Sequence, residues 1–200
     1  MNDIIYDDVS GNGSIDAADK VIIDNLTPKF TGGLNLGVSW KNLSLFGQFS
    51  FTYGGKIYNL DEQLLRSTEL GYDDVMKNKP DYILDRWTQE NQSSRYPRFV
   101  VGAHGAQNET GWNDRPSTLY LFDASFLKLN KLTLSYNLPQ NWIQKLGMTS
   151  CSVYLSGENL FTLKNKKLNV PDPEAALTSG IAQKGVPSPR SFMIGLDLTF

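Results

Sequence analysis

The chain has 200 residues and a mass of 22.4 kDa, long enough to bury a sizeable core. No stretch approaches the ~20 consecutive apolar residues of a membrane helix, and a net charge of -2 excludes a broad basic nucleic-acid surface. One cysteine, Cys151, excludes an intrachain disulfide framework, and one histidine, His104, leaves little room for a His/Cys zinc cluster. The mean hydropathy of -0.33 does not exclude a membrane β-barrel, whose strands alternate apolar and polar residues. The first eight residues, Met1 to Asp8, lack the basic and apolar regions of a signal peptide. The chain therefore reads either as cytosolic or as a piece of something longer.

Residues 1–28 are polar and acidic and contain a Gly-rich turn. From Lys29 the pattern changes to period two. Phe30, Gly32, Leu34, Leu36, Val38 and Trp40 share one parity, and Thr31, Gly33, Asn35, Gly37 and Ser39 share the other. This predicts a strand over about 29–40 with one apolar and one small, polar face. Lys41-Asn42 reads as a tight turn into a second strand over about 43–54, where Phe46 is the exception on the polar face. Residues 55–122 are irregular, rich in Asn, Asp, Gly, Pro and aromatics, with a possible helix over about 61–76. Alternation returns over about 124–138, 150–163 and 190–200. The short 139–149 connection has a helical hint that Gly147 stops, and the 164–189 connection is broken by Pro171, Pro173, Pro187 and Pro189.

These five predicted strands exceed the ordinary strand length of ~5–6 residues and suit a tilted membrane crossing, which needs ~9–11. Their polar face is mostly Ser, Thr, Asn, Gln and Gly rather than the Lys/Glu mix of a solvated sheet. Long and short connections alternate strictly. The predicted fold class is therefore all-β: part of an antiparallel up-and-down transmembrane barrel with long outer loops. Five strands cannot close such a barrel, since the smallest have about eight. The remaining strands are expected from a longer parent chain.

Six segments, in order, resemble the C-terminal end of the SusC/RagA family of TonB-dependent outer-membrane transporters. Asp8-Val9-Ser10-Gly11-Asn12-Gly13-Ser14-Ile15-Asp16 resembles D-x-N-G-D-G-x-I-D. Pro28-Lys29-Phe30-Thr31 with Gly33-Leu34 resembles a strand entry. Arg86-Trp87-Thr88 with Glu90-Asn91 resembles R-W-T-x-E-N, and Asp123-Ala124-Ser125-Phe126-Leu127-Lys128-Leu129 resembles D-x-S-F-L-R-L. Ser156-Gly157-Glu158-Asn159-Leu160-Phe161-Thr162 resembles S-G-x-N-L-F-T, and Pro189-Arg190-Ser191-Phe192 with Gly195-Leu196 and Phe200 resembles a closing strand. The resemblance implies a barrel of about 22 strands with a plug, import of glycans or peptides, a SusD-like surface lipoprotein as partner, energy from TonB through the plug, and an outer-membrane location. The plug and most strands lie outside this chain, so the fragment alone is not expected to transport. Loops 1–28, 55–122 and 164–189 would face the cell exterior.

Asp8, Ser10, Asn12, the Ser14 carbonyl, Asp16 and Asp19 have the spacing of a twelve-residue calcium loop, with Gly13 at the sharp turn and Ile15 as apolar anchor. Neutral Ser10 and Asn12, and Asp19 in place of a bidentate Glu, predict at best a millimolar site. The same residues fit a tight Asx/Gly turn. The outer-loop rings Tyr58, Tyr72, Trp87, Tyr96, Trp112 and Tyr120 can stack on sugars, with Trp87, Tyr96 and Trp112 the candidate substrate contacts, or can pack the loops and dock a partner. Trp40, Tyr53, Tyr136 and Trp142 fit interfacial ring belts. Glu158 and Asp197 are expected on the inward face, paired with a plug or barrel arginine or tuning the lumen, and Cys151 on the lipid face. His104 reads as a surface residue. Phe200 resembles the terminal aromatic recognised by the barrel assembly machinery, or is the last packed apolar residue. No G-x-S-x-G, HExxH or phosphate-binding Gly loop is present, which argues against an enzyme. The alternative reading is a soluble secreted β-sandwich, a glycan-binding or adhesion module with a calcium loop.

Overall fold

A computed structural model describes residues 4–66, 78–94, 96–98, 115–177, 179–183 and 185–200. Within them the strands are β1 (Phe30–Trp40), β2 (Leu43–Tyr53), β3 (Lys56–Asn59), β4 (Leu121–Asp123), β5 (Phe126–Asn137), β6 (Ser150–Lys164), β7 (Ile181–Ala182) and β8 (Ser191–Thr199). The helices are α1 (Leu60–Arg66), α2 (Gln140–Ile143) and α3 (Pro173–Leu177). The five long strands form one antiparallel sheet in the order β1-β2-β5-β6-β8. A second sheet has the order β4-β3-β7, with β3 and β7 parallel.

Two corrections concern segments expected to be irregular or differently placed. The 55–122 region contains β3 and β4, and its helix is α1, starting at Leu60 and described to Arg66. The rest of the predicted 61–76 helix lies outside the described residues, as do Tyr72, His104 and Trp112. The short strands escaped sequence reading because three or four residues are too few to show a period. The connection 139–149 does turn helical, as α2 followed by a 3-10 turn at Gln144–Leu146.

The chain divides into two compact units. One comprises residues 1–24, 58–121 and 181–184; the other comprises 25–57, 122–180 and 185–200 and contains the long-stranded sheet.

Alternation gives that sheet two unlike faces. One row across it reads Val38, Leu45, Leu134, Leu155 and Ile194. All five side chains are exposed. The adjacent row on the opposite face reads Gly37, Phe46, Thr133, Ser156 and Met193. There Thr133 and Ser156 share a hydroxyl hydrogen bond of 3.0 Å, as Ser39 and Ser44 do at 2.9 Å. From Phe30 to Trp40 the strand advances ten steps. At ~3.3 Å per step and a tilt of ~45°, that covers about 23 Å, close to the ~25 Å apolar band of an outer-membrane barrel. Aromatic residues mark both ends. Phe30 stacks on Tyr53 at 5.1 Å at the loop end, and Trp40 and Trp142 are exposed at the turn end.

Keeping one face apolar requires a register device in the middle of β5. Leu127 and Leu129 pair with Phe51 and Phe49, while Leu132, Leu134 and Tyr136 pair with Gly47, Leu45 and Leu43. These leucines differ in parity, and the register shift at Asn130 brings them to one face. On β6 the residues opposite are Asn159 and Leu160, and Asn159 takes φ 52. Asn tolerates this left-handed backbone better than most side chains. Its amide also donates to the Pro189 carbonyl at 2.9 Å, just before β8. Two residues earlier, a Cβ on Gly157 would sit 2.8 Å from the Leu160 side chain. The Gly and Asn of the S-G-x-N-L-F-T-like segment therefore build a bulge.

Cys151 corrects another expectation. It keeps the apolar parity, opposite Leu198, but is 8% exposed rather than open to lipid. It lies at the start of β6, where α2 packs and where Ile143 is also buried. Glu158 pairs with Lys131 of the neighbouring strand at 3.9 Å, an exposed and weak ion pair. The bulge yields a prediction. Asn159→Val should lower the unfolding midpoint of the refolded receptor, through left-handed strain of ~1–2 kcal/mol and loss of the Pro189 bond, whereas Asn159→Gly should lose less. Equal midpoints for the two variants would contradict this role.

Candidate functional site

The compact unit comprising residues 1–24, 58–121 and 181–184 holds the acidic loop together with Trp87 and Tyr96. Its acidic loop is closed by its own hydrogen bonds. Asp8 Oδ1 accepts the Gly11 N–H at 2.7 Å, the Asn12 N–H at 3.2 Å and the Ser10 hydroxyl at 3.2 Å, while Oδ2 accepts the Gly13 N–H at 2.8 Å. Gly13 has φ 80, the turn geometry that its place in the segment requires. Asn12 Oδ1 accepts the Ser14 N–H at 2.7 Å, and its amide donates to Asp16 at 3.1 Å. Asp16 caps the 3-10 turn Ala17–Asp19, and Asp19 accepts the N–H groups of Asp16 at 2.7 Å and Ser10 at 3.0 Å. Those backbone donors hold the Asp19 carboxyl below the usual carboxylate range. Arg115 braces the loop by donating to the Ile15 carbonyl at 3.1 Å. Among the described residues no group of three or more His, Cys, Asp or Glu side chains is placed to hold a metal ion. The side-chain oxygens of Asp8, Asn12, Asp16 and Asp19 accept N–H groups of the loop itself.

The aromatic residues meet at α1. Asn59, fully buried, accepts the Glu62 N–H at 3.0 Å and so caps the helix. One turn on, Arg66 reaches back to Glu62 at 2.6 Å, and Tyr82 donates to the same Glu62 oxygen at 2.8 Å. The Arg66 guanidinium lies 5.1 Å from the Tyr96 ring, 5.7 Å from Tyr82 and 5.9 Å from Tyr120. Tyr96 also stacks on Tyr82 at 5.2 Å, and Tyr58 meets Tyr120 edge-on at 6.2 Å. Tyr96 and Tyr120 thus pack the loops around a cation. Burial pushes Tyr58 up to about 12, against a partly opposing Ser117 backbone donor. It also raises Tyr82, reinforced by the bond to Glu62.

Trp87 is half-buried, and its backbone N–H donates to the Tyr96 carbonyl at 3.1 Å. The R-W-T-x-E-N-like segment around it builds a turn. Thr88 and Asn91 bond each other through backbone and hydroxyl, and the Asn91 amide donates to Asp85 at 2.9 Å. The structure brings Tyr96 into the Arg66 cluster and places Trp87 beside it in the backbone ladder. Sequence reading missed Glu62, Arg66 and Tyr82 because α1 is short and its partners lie far along the chain. The spacing of Glu62 and Arg66, four apart on a helix, was the available signal. Phe200, beyond β8, is exposed.

No family model matches the chain. It is 29% identical to TonB-dependent receptor P3 of Formosa agariphila over 206 residues, covering 98% of this chain and 19% of that protein. It is 27% identical to TonB-dependent receptor SusC of Bacteroides thetaiotaomicron over 197 residues, covering 98% of this chain and 17% of that protein. Among solved structures it superposes on the RagAB peptide transporter with a TM-score of 0.74 at 30% identity, covering 94% of this chain and 19% of that one. The RagAB peptide importer in its open-open state gives a TM-score of 0.71 at 31% identity. Over nearly its whole length the chain is similar to TonB-dependent receptors of the SusC/RagA type, and it spans about a fifth of the length of the curated relatives named here.

The Tyr58 shift carries a pH prediction. A hydroxyl that ionises at about 12 when folded and near 10 when unfolded contributes stability that is complete below pH 10 and is lost as pH rises to about 12. Tyrosinate absorbance of the intact receptor should show Tyr58 titrating in that upper range. The corresponding absorbance step should move toward pH 10 in urea. A Tyr58→Phe difference spectrum with no step above pH 11 would contradict the assignment.

Proposed function

We propose that this chain forms five adjacent wall strands and outer loops of a TonB-dependent importer that brings an oligomeric nutrient across the outer membrane. The observation that carries the reading is the two-faced sheet, apolar and exposed on one side, hydroxyl-rich on the other, with β1 and β8 at its edges. A soluble sandwich would cover that apolar face. In this reading the edges pair with further strands, a plug occupies the lumen and couples to TonB, and a SusD-like lipoprotein sits over the mouth. Assembly machinery recognises the strand ending near Phe200.

Glycan and peptide are the two substrate classes at issue. Packing of Tyr96 and Tyr120 around Arg66 removes part of the aromatic argument for sugars. The relatives solved as structures are named as peptide importers. We therefore favour peptides, with Trp87 and Trp112 as proposed contacts. Calcium binding at Asp8, Ser10, Asn12, Ser14, Asp16 and Asp19 is a separate proposal, carried by spacing alone.

Two measurements test these readings. In the intact receptor, Leu134→Arg on the apolar face should reduce the outer-membrane level, with a cost of about 2–4 kcal/mol near the bilayer midplane. Thr133→Arg should leave the level unchanged, and nutrient uptake by that variant separates peptide from oligosaccharide supply. Equal levels for the two variants would sink the barrel reading. For calcium, calorimetry of the purified receptor should give a millimolar response that Asp8→Asn with Asp19→Asn removes. No heat at several millimolar calcium rejects the site.

A further inference from the structure

The connection between β6 and β8 carries a further inference, which rests on the barrel reading for the meaning of inward. Leu127 and Leu129 pair with Phe51 and Phe49 on one side and with Leu163 and Phe161 on the other, all on the apolar face. Lys128 lies between them, so its side chain projects to the opposite, inward face. An isolated lysine there would extend into water, yet its side chain is 7% exposed.

What covers it is the start of α3, in the connection after β6. The Lys128 ammonium donates to Asp172 Oδ2 at 2.8 Å and to Glu174 Oε2 at 2.9 Å. Asp172 Oδ2 also accepts the Ser188 hydroxyl at 2.6 Å, and its Oδ1 accepts the Glu174 N–H at 3.1 Å. One carboxylate therefore ties the start of α3, the far end of the connection and the barrel wall together. Lys164 adds a bond to the Val170 carbonyl. Thr52 and Phe126, paired across β2 and β5 close to Lys128, are buried as well. Charges leave water at high cost and stay buried only when their geometry is held. An outer loop that stood away from the wall would have no use for such a group.

We propose that residues 165–177, tied at Ser188, form a strap folded over the inner face of the barrel wall, latched by Lys128 to Asp172 and Glu174, which narrows the lumen at its outer mouth. The strap is a fixed lip rather than a free loop. Its buried ion pair is inside the barrel, where passing solute meets the outer side of α3. Hydrogen bonds to Asp172 outweigh the opposing effect of its burial and hold its carboxyl below the usual range, so the latch stays charged in mildly acidic medium.

The test uses the intact receptor in cells, with Cys151→Ala and Ala176→Cys. Ala176 is buried in α3. A membrane-impermeant maleimide should label that thiol slowly with the latch present. It should label at least about tenfold faster in Lys128→Met and in Asp172→Asn, the change expected when a buried pair is broken. Lys128→Arg should keep labelling slow. A heat-modifiable band on gels, read on the same cells, confirms that each variant has a folded barrel, so loss of the latch is distinguished from loss of the barrel. Fast labelling with the latch intact, or equal rates in all variants, overturns the strap.

Discussion

In hydrocarbon a backbone N–H or C=O has no water to bond, and each one left unpaired costs several kcal/mol. That constraint organises the long-stranded sheet. β2 and β5 are paired on both sides apart from the bulge at Asn130, β6 is paired with β8 over Ser150–Glu158, and the open edges fall on β1 and β8. The same constraint explains the two faces. Side chains that meet lipid must be apolar row by row, as Val38, Leu45, Leu134, Leu155 and Ile194 are. Those facing the lumen can be Ser, Thr and Gly.

Period two is unforgiving: one extra residue in a strand turns every later side chain to the wrong face. β5 contains such a change at Asn130, and β6 answers it with Asn159 and Leu160. Several of the recurrent short segments have this character. The Ser-Gly-Glu-Asn run makes the bulge. The Thr88–Asn91 pair closes a turn, and Ser125 accepts the Gly54 N–H at 2.9 Å while its own N–H bonds Asp123. They shape backbone where regular pairing stops.

The other compact unit follows different rules. It is built around one buried carboxylate, Glu62, and one cation, Arg66, because long loops rich in polar residues cannot bury enough apolar surface by themselves. Tyrosines suit the task, with a face for the guanidinium and a hydroxyl for the carboxylate. A ring in this role is a wall of the site before it is a contact for a ligand, which shifts attention from Tyr96 to Trp87.

Local period and turn residues are enough to specify the long strands, their length, their two faces and the alternation of long and short connections. They also specify the acidic turn, whose donors and acceptors lie within twelve residues of one another. The rest depends on contacts between segments far apart in the chain. The Asn130 bulge needed the pairing partners on both sides. The burial of Cys151 needed the helical turn beside it. Arg66 needed rings from residues 82, 96 and 120, and Lys128 needed Asp172, 44 residues away in the chain. Each depends on which distant segments meet, and side-chain chemistry specifies what a residue can bond, not where in the chain its partner will come from.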